Sequence, residues 1–350
     1  MAQYYPQLVF PYRRYQIGKV YRGEKPQKGR SREFYQCDID IIGDGELSLV
    51  NDAEIPSVIY RLFRKLDIGD FVIKINNRKI LSGFVEALGF GDKEGEVLRT
   101  IDKLEKIGEE TVIKELVETG MTEEAAAKLI EMISMNGTNE EILIKLQEIG
   151  TNVEKYDQGV RELVEVVRGA NQFGVPEESL QIDLSIARGL GYYTGTVYET
   201  KMKNEEILGS VCSGGRYDNL AENFTDKKLP GVGISIGLTR LFSQLKTAGL
   251  VDDSLMSVSQ VVVVPMERAN MTYAIEVARK LRENSINTEI YTEETKLRKK
   301  LNYVNKIGTK YMVLLGENEE KEDKVTLKNM LTGEQWLLSV EETIEKVVGK

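Results

Sequence analysis

The sequence predicts an α+β chain, with a strand-rich core interrupted by a helical insertion and followed by a small α/β domain. Three observations point to this. Tyr15–Arg22 and Glu33–Gly43 read as strands around a polar Gly/Pro loop, Gly23-Glu24-Lys25-Pro26-Gln27-Lys28-Gly29, the pattern of a long antiparallel hairpin. Val97, Ile101, Leu104 and Ile107 then recur at helical spacing. From Val261 onward, strand and helix signals alternate, as in an α/β unit.

The elements follow in order. After the hairpin come a strand at Phe71–Ile75, a turn at Asn76-Asn77 and a short strand at Lys79–Leu81. The helical insertion covers about 85–168. Within it Thr122, ahead of Glu123 and Glu124, has the character of an N-cap with acids in the first turn, and Ile142, Leu146 and Ile149 continue the apolar stripe. Strands return at Leu180–Arg188 and Gly195–Thr200, followed by the glycine-rich Ser213-Gly214-Gly215-Arg216. Gly231–Gly237 runs into Leu238-Thr239-Arg240-Leu241 as a strand feeding a helix. Beyond a linker at Gly249–Gln260, Val261–Pro265 reads as a fully buried strand, Thr272–Glu283 as a helix and Thr288–Tyr291 as a strand. Lys296–Lys306 reads as a helix and Tyr311–Leu315 as a strand, in a largely parallel sheet. The expected boundaries are 1–84 and 169–248 for the two parts of the core, 85–168 for the insertion and 256–350 for the C-terminal domain.

Composition narrows the chemistry. The 350 residues are 41% hydrophobic, enough for a sizeable core, and no apolar run is long enough to span a bilayer. The N-terminus lacks a basic-then-apolar leader pattern, so a cytoplasmic protein is expected. Cys37 and Cys212 form no CxxC pair; neither a zinc site nor a disulfide is expected, and each reads as a small buried residue. The chain has no histidine, which removes the usual general base and the commonest metal ligand. Chemistry must therefore run on arginine, carboxylates, amides, tyrosine or a soluble metal ion, and no metal-ligating residues are predicted.

The net charge of −9, from 47 basic and 56 acidic residues, excludes a uniform basic coat but not local patches. Between Pro11 and Gln36 lie Arg13, Arg14, Lys19, Arg22, Lys25, Lys28, Arg30 and Arg32 against Glu24 and Glu33. A second island runs through Lys296, Arg298, Lys299, Lys300, Lys306 and Lys310 with no acid among them. Such islands bind anions at chosen places. Two solvated faces would account for them as well.

Along the strand from Glu33 to Ile42, Tyr35, Cys37, Ile39 and Ile41 share one face, read as core. Phe34, Gln36, Asp38 and Asp40 share the other. The second face suits the floor of a polar pocket, although alternation alone is met as simply by an ordinary solvent-facing side. Arg22, Arg30 and Arg32 surround the same hairpin loop, and that clustering favours a phosphate site over scattered charge.

Four segments carry a family resemblance. Tyr21-Arg22-Gly23-Glu24-Lys25-Pro26-Gln27-Lys28-Gly29-Arg30-Ser31-Arg32-Glu33-Phe34-Tyr35-Gln36 resembles motif 2 of the histidyl-tRNA synthetases. Arg188-Gly189-Leu190-Gly191-Tyr192-Tyr193-Thr194-Gly195-Thr196-Val197-Tyr198-Glu199 and Ser213-Gly214-Gly215-Arg216-Tyr217-Asp218 resemble that family's two signature peptides. Gly231–Leu241 resembles motif 3, ending on its arginine, and Val261 onward resembles the family's anticodon-binding domain. The resemblance implies a class II synthetase fold, with an antiparallel-sheet catalytic core, a helical insertion and a C-terminal α/β domain. It implies a histidine–tRNA ligase working with ATP, Mg²⁺, histidine and tRNA(His), as a homodimer in the full-length family.

By the same resemblance, Arg22, Arg188 and Arg240 are the catalytic arginines. Arg22 holds the α-phosphate and the histidine carboxylate, and Arg188 sits at the α-phosphate. Glu24 sets the ATP loop, Phe34 stacks on adenine, and Arg30 and Arg240 take the γ-phosphate end. Gln36 binds the histidine ammonium, while Asp40 and Tyr193, with Tyr217 nearby, read the imidazole. The segment Lys296, Arg298, Lys299 and Lys300 is expected to meet tRNA phosphate.

Gly191 stands where the family usually has Asp, and Thr239 where it often has Glu. The family's motif 1 and the loop that binds the histidine ammonium would fall before Met1. A shortened version, weak in histidine activation without a restored segment or a compensating partner, is therefore expected. The competing expectation is a non-catalytic relative, either the regulatory subunit of ATP phosphoribosyltransferase or a tRNA-binding pseudo-enzyme. Retention of Arg22, Arg188, Arg240 and a full C-terminal domain speaks against the first.

Overall fold

Two ten-residue runs of extended backbone open the main sheet. β1 (Tyr12–Tyr21) and β2 (Glu33–Ile42) pair antiparallel from Tyr12 opposite Ile42 to Tyr21 opposite Glu33. The structure, a computed structural model, describes residues 1–350 except Glu24, 26–30, 187–190, Glu205, Leu208, 252–256 and Lys350. The chain divides into two compact units, Met1–Val251 and Asp252–Lys350.

In the first unit, β2 leads to α1 (Val50–Leu66) and then β3 (Phe71–Asn77). Next comes α2 (Arg78–Ala87), which occupies the place where a strand at Lys79–Leu81 is expected. Its helical form has a local cause: the Asn77 side chain caps it by accepting from Lys79 N at 3.0 Å, and Ile80, Leu81, Phe84 and Val85 bury one stripe. The insertion continues through α3 (Glu94–Ile101), α4 (Leu104–Ile107), α5 (Glu109–Glu118), α6 (Glu123–Ile133), α7 (Asn139–Ile149) and α8 (Glu154–Gln172). Thr122 caps α6 as expected, its hydroxyl accepting from Ala125 N.

The insertion is tied to the sheet by Asn139. Its buried amide donates to Leu180 O and accepts from Ile182 N, both at 2.8 Å, at β4 (Leu180–Ile182). This strand ends earlier than the expected Arg188, because the Asp183 carboxylate turns back to accept from Ser185 N at 3.0 Å. The sheet is completed by β5 (Thr196–Met202), β6 (Ser210–Tyr217) and β7 (Gly231–Ile236), and β7 feeds α9 (Leu238–Thr247). The strand order is β1-β2-β7-β6-β5-β3-β4, antiparallel throughout except for β3 with β4.

Register divides this sheet into two faces. Ile39, Ile41, Val232, Ile234, Tyr198, Ile73 and Ile75 share one, and belong with α1 and α8 to one hydrophobic core or its margin. The opposite face carries Arg14, Gln36, Asp38, Asp40, Ser235, Ser213 and Tyr217. Tyr35 departs from expectation, since it is 44% exposed rather than core. β7 pairs with β2 only from Cys37 to Ile42, so among the described residues the outer part of the hairpin has no third strand against it.

The second unit alternates β8 (Val261–Pro265), α10 (Met271–Glu283), β9 (Thr288–Ile290), α11 (Leu297–Ile307), β10 (Tyr311–Leu315) and α12 (Glu317–Lys321). It ends on β11 (Val325–Asn329), β12 (Gln335–Leu338) and α13 (Val340–Val348). Val261 and Val263 pack with α10 and α13, while Val262 and Val264 pack with Val304 of α11. Burying each such valine contributes roughly 1.5–3 kcal/mol. The sheet is less parallel than expected: β8 runs parallel to β9 and β10, but the β11–β12 hairpin adds two antiparallel pairings. Among the described residues, no helix is long and apolar enough to cross a membrane.

Candidate functional site

The polar face of the first sheet is paved with glycine, and the paving makes room for the side chains that matter. A Cβ at Gly233 would lie 2.4 Å from Asp40 Oδ1, one at Gly231 would lie 2.4 Å from the Tyr217 ring, and one at Gly215 would lie 3.0 Å from the Tyr193 ring. A carboxylate and two phenols thus converge over bare backbone. Tyr217 OH donates to Asp40 Oδ1 at 2.7 Å, and Tyr192 packs edge-on against Tyr193 with ring centroids 4.6 Å apart. Burial, reinforced by the nearby Asp40, pushes the phenol of Tyr217 well above its usual range. Burial together with hydrogen bonding to Tyr192 does the same for Tyr193. Both remain protonated hydroxyls near neutral pH, able to donate.

Toward the hairpin loop, the same face opens into a cleft of about 340 Å³. Its lining includes Arg22, Phe34, Gln36, Ser213, Thr239 and Arg240. The Arg22 guanidinium lies over the Phe34 ring, 5.1 Å from its centroid. Gln36 donates through Nε2 to Ser235 Oγ on β7, and Thr239 Oγ1 accepts from Tyr35 N at 2.8 Å. The cleft combines two fixed cations, a flat ring and neutral hydrogen-bonding groups, which suits a polyanion bearing an aromatic base. Among the described residues, no carboxylate lines the cleft and no group of three His, Cys, Asp or Glu could hold a metal ion.

The structure brings together Arg22, Phe34, Gln36 and Arg240 around the cleft, and Asp40, Tyr193 and Tyr217 beyond it on the same face. Glu24, Arg30 and Arg188 lie outside the described residues. In the second unit, Lys296, Arg298 and Lys299 are exposed around the start of α11. Lys300 is a correction: only 3% exposed, it donates from Nζ to Pro265 O at 2.7 Å and Met266 O at 3.2 Å and cannot reach an external phosphate. Lys300 sits one position beyond the exposed run, on the buried face of α11 that also carries Val304 and looks toward Tyr291.

Two residues with structural work at the site were missed. Arg14 stands opposite Asp40 and binds it, a pairing that counting back along the hairpin from its loop would have found. Asp52 of α1, 0% exposed, binds Arg216 from the other side of the sheet. No local pattern marks that long-range pair.

The histidyl-tRNA synthetase family model matches residues 3–241, and the anticodon binding domain model matches residues 260–350. The chain is 54% identical to the histidine–tRNA ligase of Clostridium tetani, over 99% of this chain and 78% of that one. It is 46% identical to that of Finegoldia magna, over 99% of this chain and 80% of the relative. Among solved structures, it resembles the histidyl-tRNA synthetase from Nostoc sp. PCC 7120 with a TM-score of 0.86 and 41% identity, over 99% of this chain and 80% of that one.

Proposed function

The chain belongs to the histidyl-tRNA synthetase family, and from that premise we propose that it activates histidine with ATP and transfers it to the tRNA that accepts histidine. The observation that carries the reading is one continuous polar face, with a cation- and ring-lined cleft at one end and the Asp40–Tyr217–Tyr193 cluster at the other. One end suits a nucleotide triphosphate and the other a small ring bearing nitrogen donors. Curated relatives 46% and 54% identical over nearly the whole chain are ligases, which favours the enzyme over a non-catalytic paralogue.

In the first step, a carboxylate oxygen of histidine attacks the α-phosphorus of ATP, the bond to pyrophosphate breaks, and pyrophosphate leaves with the electron pair. The nucleophile is already an anion, so no enzymic base is required and a chain without histidine can perform the step. What the transition state needs is fixed positive charge beside the phosphorus. Arg22 is assigned to the α-phosphate and the histidine carboxylate, and Arg188 to the α-phosphate. Arg30 and Arg240 take the outer phosphates, Glu24 orders the ATP loop, and Phe34 stacks on the base. Gln36 takes the ammonium. Magnesium bound with ATP would supply charge neutralisation at the phosphates. In the second step, a ribose hydroxyl of the tRNA displaces AMP at the histidine carboxyl carbon.

Lys296, Arg298 and Lys299 are assigned to tRNA phosphate. The first turn of α11 contains no acid, so these cations crowd the positive end of the helix dipole, an arrangement that costs the helix stability. An anionic partner would relieve it. The test of the catalytic reading is histidine-dependent ATP–pyrophosphate exchange. Arg22→Ala should lower its rate on the order of 10²-fold or more with the fold intact. Near-normal exchange in that variant would remove Arg22 from the chemistry.

A further inference from the structure

Asp40 is bound twice by protein before any ligand arrives. Arg14, its partner in the β1–β2 register, donates to Asp40 Oδ2 from Nε at 2.9 Å, with Nη2 at 2.6 Å from the same oxygen. Arg14 is itself oriented by Gln16, whose Oε1 accepts from Nη1 at 3.0 Å. Tyr217 takes part of Oδ1. A carboxylate offers about four lone-pair positions. Arg14 covers Oδ2 and Tyr217 takes one position on Oδ1, leaving one on Oδ1 to accept a single ring N–H.

The charge count matters as much as the donor count. A lone carboxylate would favour a protonated ring, since an opposite charge within about 4–6 Å typically raises a cation's pKa by about 1–3 units. Here the carboxylate is neutralised by a guanidinium. The other groups facing it add little. β7 presents Gly233, and the phenols of Tyr193 and Tyr217 are held protonated. The Cys212 thiol of β6 points to the other, core face of the sheet, where burial pushes it up and keeps it neutral. Asp38 lies one pleat repeat along the same face, opposite Gln16 and Ser235, and is common to every variant compared below.

We infer that Arg14 is a positioning residue that sets the protonation state of the substrate: by neutralising Asp40, it makes the site select histidine with a neutral imidazole over the imidazolium form. The inference rests on the proposed reading of Asp40 as the ring-binding carboxylate.

The test is histidine binding by titration calorimetry at pH 7.5 and pH 5.5, in buffers of differing ionisation enthalpy. With a ring pKa of about 6.5, the neutral fraction falls about tenfold between those pH values, and native affinity should fall by about the same factor, with proton release at pH 5.5. Arg14→Gln should bind more weakly at pH 7.5, yet lose less than about threefold on going to pH 5.5 and release fewer protons, because the ring now faces an unneutralised carboxylate. Arg14→Lys, which keeps the charge, should restore the native pH dependence. An Arg14→Gln profile parallel to the native one, merely lower, would make Arg14 structural and overturn the inference. If Arg14→Gln does not fold, the native chain still decides. A ring-fluorinated histidine of lower ring pKa should move the acid limb down by the difference in pKa, and an unmoved limb overturns the inference. Asp40→Asn separates the two levels. Unchanged histidine affinity in that variant would overturn the reading of Asp40 itself, whereas weakened binding in Asp40→Asn with a parallel Arg14→Gln profile would overturn the role of Arg14 alone.

Discussion

Replacing Asp52 by alanine should destabilise the first unit more than almost any substitution in the cleft. The side chains of Asp52 and Arg216 are 0% and 8% exposed. They meet through Nε to Oδ1 at 3.0 Å and Oδ2 at 3.2 Å, and through Nη2 to Oδ2 at 2.7 Å. Arg216 Nη2 also donates to Leu47 O at 2.8 Å. Removing the carboxylate leaves the buried guanidinium with only Leu47 O and, at 3.3 Å, the less buried Asp218 carboxylate, at a cost of about 3–5 kcal/mol, which for a unit of this size lowers Tm by about 6–20 °C. Total stabilities run about 5–15 kcal/mol, so roughly a fifth or more of the margin is at stake. Removing both charges is a different perturbation. Asp52→Leu combined with Arg216→Met fills the volume without an orphan ion and should lie within about 1 kcal/mol of the native chain. The assay is urea denaturation followed by far-ultraviolet circular dichroism for the two variants and the native chain. A loss under about 1 kcal/mol in Asp52→Ala, or a double variant as unstable as the single one, would refute the reasoning.

Gly233→Ala should raise the KM for histidine about tenfold or more, since its Cβ would lie 2.4 Å from Asp40 Oδ1 and 2.3 Å from Ile39 O and overpacking of this kind costs about 1–3 kcal/mol; the KM for ATP in pyrophosphate exchange should change far less. Exchanging Lys296, Arg298 and Lys299 for Glu should weaken tRNA charging and flatten its salt dependence by about one log unit per lost phosphate contact, with exchange unaltered. Lys300→Met should instead destabilise the second unit, as followed by the fluorescence of Trp336, the sole tryptophan. Burial, aided at Cys37 by Asp38, raises both thiols above their ordinary range, so the reactive thiolates form only at higher pH. Iodoacetamide should therefore label the folded chain slowly at pH 7.5 and faster as pH rises, and rapid labelling at pH 7.5 would contradict those environments.

Legibility from sequence followed the range of the interactions. The hairpin, the Thr122 cap and the strand Val261–Pro265 depend on neighbours within a few residues, and each formed where expected. Lys79–Leu81 was misread because a short apolar run fits strand and helix equally; the choice fell to an Asn77 cap and to burial against α8. The β11–β12 hairpin escaped notice because its pairing carries no strong turn dipeptide. Gln36 was legible as a polar floor residue, but its hold on Ser235, 199 positions away, was not. The neighbouring strand that makes that contact is set by topology rather than by local pattern.

Those long-range contacts explain why Ser213–Asp218 does two jobs. Successive residues of a strand point to opposite sides. Tyr217 faces the cleft and holds Asp40, while Arg216, one residue earlier, faces the core and holds Asp52. Thr194 closes the segment from its end, its N–H donating to Arg216 O and its hydroxyl bridging to the Asp218 carboxylate at 2.6 Å. The Asp40–Tyr217–Tyr193 cluster is therefore clamped at its back by an ion pair and at its tip by a hydroxyl, and glycines keep the face between them clear. Preorganisation of this kind has an energetic signature. Because Arg216 and Tyr217 share one strand, loosening the Asp52 anchor should also degrade the Tyr217–Asp40 contact. The effects of Asp52→Ala and Tyr217→Phe on histidine affinity should then be less than additive, as expected for neighbours in one network rather than for independent sites.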